Sequence, residues 1–318
     1  MSFAVDVRHL SKTFVSGGQG RQRVQALRDV SLQIPEGEIF GILGPNGAGK
    51  TTFLNILSTL LLPDAGTVTI LGIPSTPQNS RRLRSFLNMS SGYPNFPWCL
   101  SVEENLRFYG RLYGLPSSVL EQRIARLMKA LELQRFAKVP FDELSSGTKQ
   151  KLALAKAMIN EPKIIFLDEP TLGLDPDGAS RILDLITGLS RERGLTVLLS
   201  SHMLHQVQQM CHRVGIIVKG KMIAQGQVDQ LGSAVFKERQ WNFLVEVEGR
   251  VDGLESDLRA LHGVVGLEAR NRGWFLRCTR DVRPEVLALV SRRGLALLQL
   301  RSEDTTLEDI YLKYFREA

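Results

Sequence analysis

The stretch Gly44-Pro45-Asn46-Gly47-Ala48-Gly49-Lys50-Thr51-Thr52 constrains this chain more than any other. It follows the apolar run Ile39-Phe40-Gly41-Ile42-Leu43 and precedes a helical pattern set by Phe53, Leu54, Ile56 and Leu57. A strand, a glycine loop and a helix start, in that order, make a P-loop. The glycines let backbone N–H groups turn inward around phosphate oxygens, and the helix offers them its positive end. Lys50 can then reach the β and γ phosphates, and the Thr51 hydroxyl can ligate Mg²⁺. The bland alternative is a chance glycine turn before a helix, and the strand-loop-helix context weighs against it.

The chain has 318 residues, which at ~100 to 200 residues per domain points to two domains. With 43% hydrophobic and 23% charged residues it has an ordinary globular balance. No apolar run approaches the ~20 residues that span a bilayer. Met1-Ser2-Phe3-Ala4-Val5-Asp6 also lacks the basic segment and apolar core of a secretory signal, so the chain is expected in the cytoplasm. Cys99, Cys211 and Cys278 are far apart, with no paired spacing for zinc or redox chemistry. The net charge of +7 suits nucleic acid or an anionic membrane face, but basic residues are spread along the chain and plain solubility accounts for them.

Phe3 to Leu10 alternates as a strand does, and Phe14 beyond it is an aromatic able to stack on a base. Ser16 to Arg23 is a Gly-rich, basic loop, and Leu27 to Ile34 resumes strand alternation before the turn Pro35-Glu36-Gly37-Glu38. After the P-loop helix come the turn Pro63-Asp64-Ala65-Gly66, a short strand at Thr67 to Leu71, and a solvated helix face bearing Arg81, Arg82 and Arg84. Asn88 to Trp98, rich in aromatics and proline, reads as an irregular loop, neither helix nor strand. Its rings either fill core gaps or form a socket for a partner. Ser101-Val102-Glu103-Glu104 is a capping box, and a helical pattern runs from it to Gln134, broken at Gly114-Leu115-Pro116.

Leu144-Ser145-Ser146-Gly147-Thr148 puts hydroxyls and a glycine at a helix start, which is either an ordinary N-cap or a second anion site. Ile164-Ile165-Phe166-Leu167 has the form of a buried parallel strand, and it delivers Asp168 and Glu169 at its carboxyl end. Beside a nucleotide, Asp168 would hold Mg²⁺ and Glu169 would orient and polarise the attacking water. Thr171 to Pro176 is a turn before the helical stretch Ala179 to Arg191. Leu195 to Ser201 is another buried strand, and it ends at His202, placed to contact a terminal phosphate. His205 follows three residues on, but with no third ligand in view a metal pair is not expected.

In this order the motifs resemble the nucleotide-binding subunit of an ABC transporter, over about residues 3 to 230. The resemblance implies Phe14 at the adenine-stacking position, Walker A at Gly44 to Thr51 with Thr52 beside it, and a signature at Leu144 to Thr148. It implies Walker B at Ile164 to Asp168 with the catalytic Glu169, a D-loop at Leu172 to Asp175, and a catalytic switch at His202. ATP and Mg²⁺ are the implied ligands, the metal held by Thr51 and Asp168. With one P-loop and one signature in the chain, each ATP is sandwiched against Ser145 and Gly147 of another subunit. That subunit is a second copy in a head-to-tail dimer or a homologous ATPase. A separate transmembrane permease is expected around residues 88 to 115, which makes this chain peripheral on the inner face of the cell membrane. No nucleic acid is expected. The rival is a soluble ABC ATPase acting on ribosomes or DNA, but the second ATPase unit, coiled coils or zinc modules of such proteins do not appear. Two departures stand out. Ser146 and Thr148 replace the usual glycine and glutamine of the signature. The loop from Asn88 to Trp98 lacks the family's glutamine, so either Ser91 or Asn95 substitutes or coupling relies on Tyr93, Phe96 and Trp98.

The expected fold is therefore α/β, a P-loop NTPase of ABC type with a parallel core sheet, an antiparallel β segment and a helical subdomain at about 88–157. This ATPase domain would span 1–235, followed by an accessory domain at 240–318. From Trp241 the pattern runs strand, helix, strand, strand, helix, strand, a ferredoxin-like α+β order. A last helix is expected from the capping box Thr305-x-x-Glu308, with a stripe of Leu307, Ile310, Tyr311, Tyr314 and Phe315. Such a tail resembles those of bacterial ABC-2 type exporter subunits, which move drugs, lipids or polysaccharides.

Overall fold

A computed structural model describes residues 2–16, 22–92, 95–201, 203–227, 230–231, 241–249, 251–270 and 273–303. The chain divides into two compact units, Met1–Gln227 and Val228–Ala318.

The first unit opens with β1 (Phe3–Ser16) and β2 (Gln22–Pro35), a long antiparallel pair. Val5, Val7 and Leu10 on one strand and Val30, Leu32 and Ile34 on the other turn inward and are buried. β3 (Ile39–Leu43) leads into the glycine loop and α1 (Lys50–Leu57). Then β4 (Ala65–Ile70) and β5 (Ile73–Pro74) complete the antiparallel sheet in the order β2-β1-β4-β5. After the single turn α2 (Ser80–Leu83), β6 (Leu87–Ser91) begins the helical stretch α3 (Val102–Leu112), α4 (Ser117–Ala130) and α5 (Ser146–Met158). β7 (Ile164–Asp168), α6 (Pro176–Arg193), β8 (Thr196–Ser201), α7 (Leu204–Met210), β9 (Arg213–Val218) and β10 (Lys221–Gly226) follow.

The second sheet runs β10-β9-β3-β8-β7-β6, parallel except for the edge hairpin β9–β10. Every residue of β3, β7 and β8 is buried, as expected of parallel strands covered on both faces. α1 fills the space between the two sheets, with Phe53, Leu54 and Leu57 in one cluster with Val7, Ile34, Phe40 and Phe166.

The structure corrects the reading of Asn88 to Trp98 as wholly irregular. Leu87 to Ser91 is a parallel edge strand paired with Ile164 to Asp168. Its polar residues hid it, because they bond to side chains outside the sheet. Asn88 Nδ2 donates to Asn160 Oδ1 at 2.9 Å, and Tyr113 Oη donates to Asn88 Oδ1 at 3.0 Å. The aromatics beyond the strand part company. Phe96 is buried against Tyr109 and Phe141, with centroids 5.4 and 5.2 Å away, whereas Trp98 is 69% exposed. Tyr93 lies outside the described residues. The capping box before α3 forms, Ser101 N–H donating to Glu104 Oε2 at 2.9 Å and Glu104 N–H to Ser101 Oγ at 3.3 Å.

The second unit comprises β11 (Trp241–Glu248), α8 (Leu254–Ala260), β12 (Val264–Arg270), β13 (Gly273–Cys278), α9 (Arg283–Arg292) and β14 (Ala296–Glu303). Its antiparallel sheet has the order β12-β13-β11-β14, the ferredoxin-like arrangement. Phe243, Val245 and Leu276 meet Leu254, Leu258, Val286 and Val290 in its core. The helix expected from Thr305 lies outside the described residues. Among those described, no helix is long and apolar enough to cross a membrane. Burial pushes the Cys211 thiol well up and the Cys278 thiol up to about 11, so both are inert thiols; Cys99 is exposed.

Candidate nucleotide site

At the carboxyl ends of the parallel strands lies a cavity of about 400 Å³, bordered by the glycine loop, Glu169, Lys219 and residues of β2. The loop's shape depends on residues with no side chain. Gly49 has φ +107°, and a Cβ there would fall 2.3 Å from the Ala26 carbonyl oxygen. At Gly44 a Cβ would fall 2.2 Å from the Ile217 carbonyl oxygen. The loop is thus pressed against β2 and β9, and α1 starts directly under it. A wider cleft of about 500 Å³, bordered by Arg126, Glu161, Lys163 and Arg193, lies at the amino ends of β7 and β8, away from the glycine loop.

Lys50 is buried at the cavity wall, and its Nζ donates to the Gly44 carbonyl at 2.7 Å and the Pro45 carbonyl at 3.3 Å. It also lies 3.6 Å from Glu169 Oε1, so a cation and an anion face each other across the cavity. The Thr51 hydroxyl donates to Asp168 Oδ2 at 2.8 Å, across 117 residues of sequence. The other oxygen of Asp168 accepts from the Ser200 hydroxyl at 2.5 Å. Ser200 also fixes Glu169, whose N–H donates to the Ser200 Oγ and the Ser200 carbonyl, each at 3.1 Å. Glu169 needs this support because its φ of +50° is one that non-glycine residues rarely adopt.

Thr51 and Asp168 form an all-oxygen donor pair, the kind a hard cation such as Mg²⁺ prefers. Among the described residues no three His, Cys, Asp or Glu cluster as a metal site. A cation held here would complete its shell with water and phosphate oxygens, which is the habit of Mg²⁺.

The cavity is lined by Pro45 to Thr52, and Gly44 stands just before them, not among the lining residues. Phe14 is paired with Val24 across the hairpin and is 42% exposed; Val24, Gln25 and Arg28 line the cavity. Ser145 caps α5, its Oγ accepting the Thr148 N–H at 3.3 Å and lying 2.9 Å from Thr148 Oγ1. Asp175 caps α6, its Oδ1 accepting the Gly178 N–H at 2.7 Å. Ser145, Gly147 and Asp175 are not among the residues lining the cavity. His202 lies outside the described residues.

Sequence patterns missed Ser200, Arg28 and Lys219. Ser200 had one usable signal, a hydroxyl inside an otherwise apolar strand, and the register pairs it with Asp168. Arg28 and Lys219 come from separate hairpins and carry no local mark.

A family model described as "ABC transporter" matches residues 27–172. The Nod factor export ATP-binding protein I of Cupriavidus pinatubonensis is 34% identical over 290 residues, 90% of this chain and 85% of that one. The dimeric post-hydrolysis structure of the ATP-binding cassette MJ0796, bound to ADP and Pi, is 28% identical with a TM-score of 0.64, covering 70% of this chain and 98% of its own. The structure of cbiO1 from Clostridium perfringens, part of the ABC transporter complex cbiONQ, is 27% identical with a TM-score of 0.65, covering 74% and 94%.

Proposed function

The chain belongs to the ABC transporter ATP-binding proteins and is the ATPase subunit of a transporter, and from that premise we propose that it powers export through a separate membrane subunit. The observation that carries the reading is the meeting of Thr51 with Asp168 and of Lys50 with Glu169 at one cavity. The export direction draws support from the relative named for Nod factor export.

The phosphate chain of ATP lies on the N–H groups from Gly47 to Thr51, and its terminal phosphate competes with Glu169 for Lys50. Drawn away from Lys50, the Glu169 carboxylate orients and polarises water. Thr51 and Asp168 would hold Mg²⁺, which neutralises phosphate charge when bound. His202 contacts the terminal phosphate, Phe14 stacks on the adenine, and Asp175 takes part in nucleotide binding. Because Ser145 and Gly147 stand outside the cavity, a second copy, or a homologous ATPase, supplies them head to tail.

The permease docks around residues 88 to 115 and holds the chain on the inner membrane face. Trp98, Phe108 and Leu112 support this, being 69%, 43% and 67% exposed in that segment. Copurification from detergent with a membrane-spanning subunit tests the transport role against one on ribosomes or DNA.

Glu169→Gln should keep ATP binding, accumulate as a dimer on gel filtration and lose steady-state turnover. Substantial hydrolysis by the purified variant would sink the assignment. Lys50→Ala should lose tight nucleotide binding, and an unchanged titration would count against the site.

A further inference from the structure

We propose that Gln150 is a positioning residue for ATP hydrolysis, fixing Gly92 against the backbone of Glu169 and so tying the helix that bears Ser145 to the catalytic carboxylate. Gln150 lies on α5 and is buried, and its Nε2 donates to the Gly92 carbonyl at 2.8 Å. Gly92 follows directly on β6, where that strand passes the carboxyl end of β7. The approach there leaves no room for a side chain. A Cβ on Gly92 would fall 2.6 Å from the Glu169 carbonyl oxygen and 3.1 Å from both the Asp168 carbonyl oxygen and Glu169 Cβ.

Glu169 holds a left-handed backbone conformation that persists only where its surroundings over-determine it. Ser200 pins its N–H from one side. Gly92 closes the other, and Gln150 is the side chain that holds Gly92 there. α5 grips the same strand lower down, Lys156 Nζ donating to the Met89 carbonyl at 3.2 Å. Of these two contacts, only that of Gln150 reaches past the strand to the end facing the cavity. Ser145 caps the same helix five residues earlier, ~7.5 Å along the axis at ~1.5 Å per residue. The segment from Asn88 to Trp98 contains no glutamine, and the amide that meets it comes from α5 instead.

This inference rests on Glu169 being the residue that polarises the attacking water. Gln150→Met keeps the side-chain length without a donor, and Gln150→Lys keeps a donor. ATP titrations of steady-state hydrolysis should show kcat in Gln150→Met reduced by about 10- to 100-fold, the order of loss for a reacting group misplaced by ~1 Å. KM should stay within about twofold because the glycine loop is untouched, and Gln150→Lys should recover most of the rate. On a Glu169→Gln background, Gln150→Met should add no further loss to the residual single-turnover rate. An unchanged kcat in Gln150→Met overturns the proposal. So does a rate loss that merely follows the fraction of unfolded protein in a thermal melt, or two losses that multiply. Full turnover in Glu169→Gln alone would instead overturn the role given to Glu169, and the positioning role with it.

Discussion

Gly92→Ala adds one methyl group at the tightest point beside the catalytic carboxylate. Gly92 has no positive φ, so the change tests space alone and not backbone torsion. The new Cβ would stand 2.6 Å from the Glu169 carbonyl oxygen, where ordinary contact begins at 3.4 Å. The two backbones must therefore part by roughly 0.8 Å, on the scale at which a misplaced reacting group costs about 10²-fold in rate. Overpacking costs about 1–3 kcal/mol in a closed core. β6 is an edge strand with no further strand beyond it, only side chains such as Lys156 and Asn160 bonding its carbonyls, so it can yield outward and the lower figure applies. A loss of about 1 kcal/mol lowers the melting midpoint by only about 2–4 °C in a domain of this size. Phosphate release at saturating ATP should then fall by about 10- to 100-fold while the protein stays folded. Gly188→Ala is the matched control. It sits inside α6 with nothing within 4 Å of the new methyl, so it should gain about 0.5–1 kcal/mol and leave turnover unchanged. Wild-type turnover and an unchanged melt in Gly92→Ala would refute the reasoning.

Two further substitutions test the side chains that hold the site and its neighbouring helices. Ser200→Ala removes the donor to Asp168 and one acceptor for the Glu169 N–H; chemical denaturation should show a loss of about 1–3 kcal/mol, with reduced kcat in the ATPase assay. Asn105 is fully buried and donates to the carbonyls of Leu100 at 2.8 Å and Ser101 at 3.1 Å, so Asn105→Asp turns a donor into an acceptor facing two carbonyls. Burial raises the folded-state pKa of such a carboxyl above its unfolded value near ~3.9, so the stability deficit relative to the parent should be smallest near pH 4 and deepen as pH rises. Denaturation curves showing the reverse trend would contradict that assignment.

The glycine loop was legible because its information is local: strand, turn and helix start are adjacent and each has its own pattern. β3, β7 and β8 were legible as short, mostly apolar runs. Pattern assigned Mg²⁺ to Thr51 and to Asp168 one at a time, and the fold brings the two together across 117 residues. β6 was misread because edge strands tolerate polar residues: Asn88 and Ser90 are both buried, Asn88 bonding to Asn160 and Tyr113 outside the sheet. Gln150 went unmarked because a glutamine near a helix start looks like a solvated position, whereas its amide is consumed by a carbonyl 58 residues earlier. Local pattern records what a residue prefers, but register decides what it meets.

Among the described residues, two of the hydrophobic clusters have no member in common. One draws on Ala4 to Met222 and the other on Trp241 to Leu300. A cavity opened at Phe53 therefore falls in the first cluster and one opened at Phe243 in the second. Each voids its own apolar interior, so the two substitutions report on two separate packings of side chains.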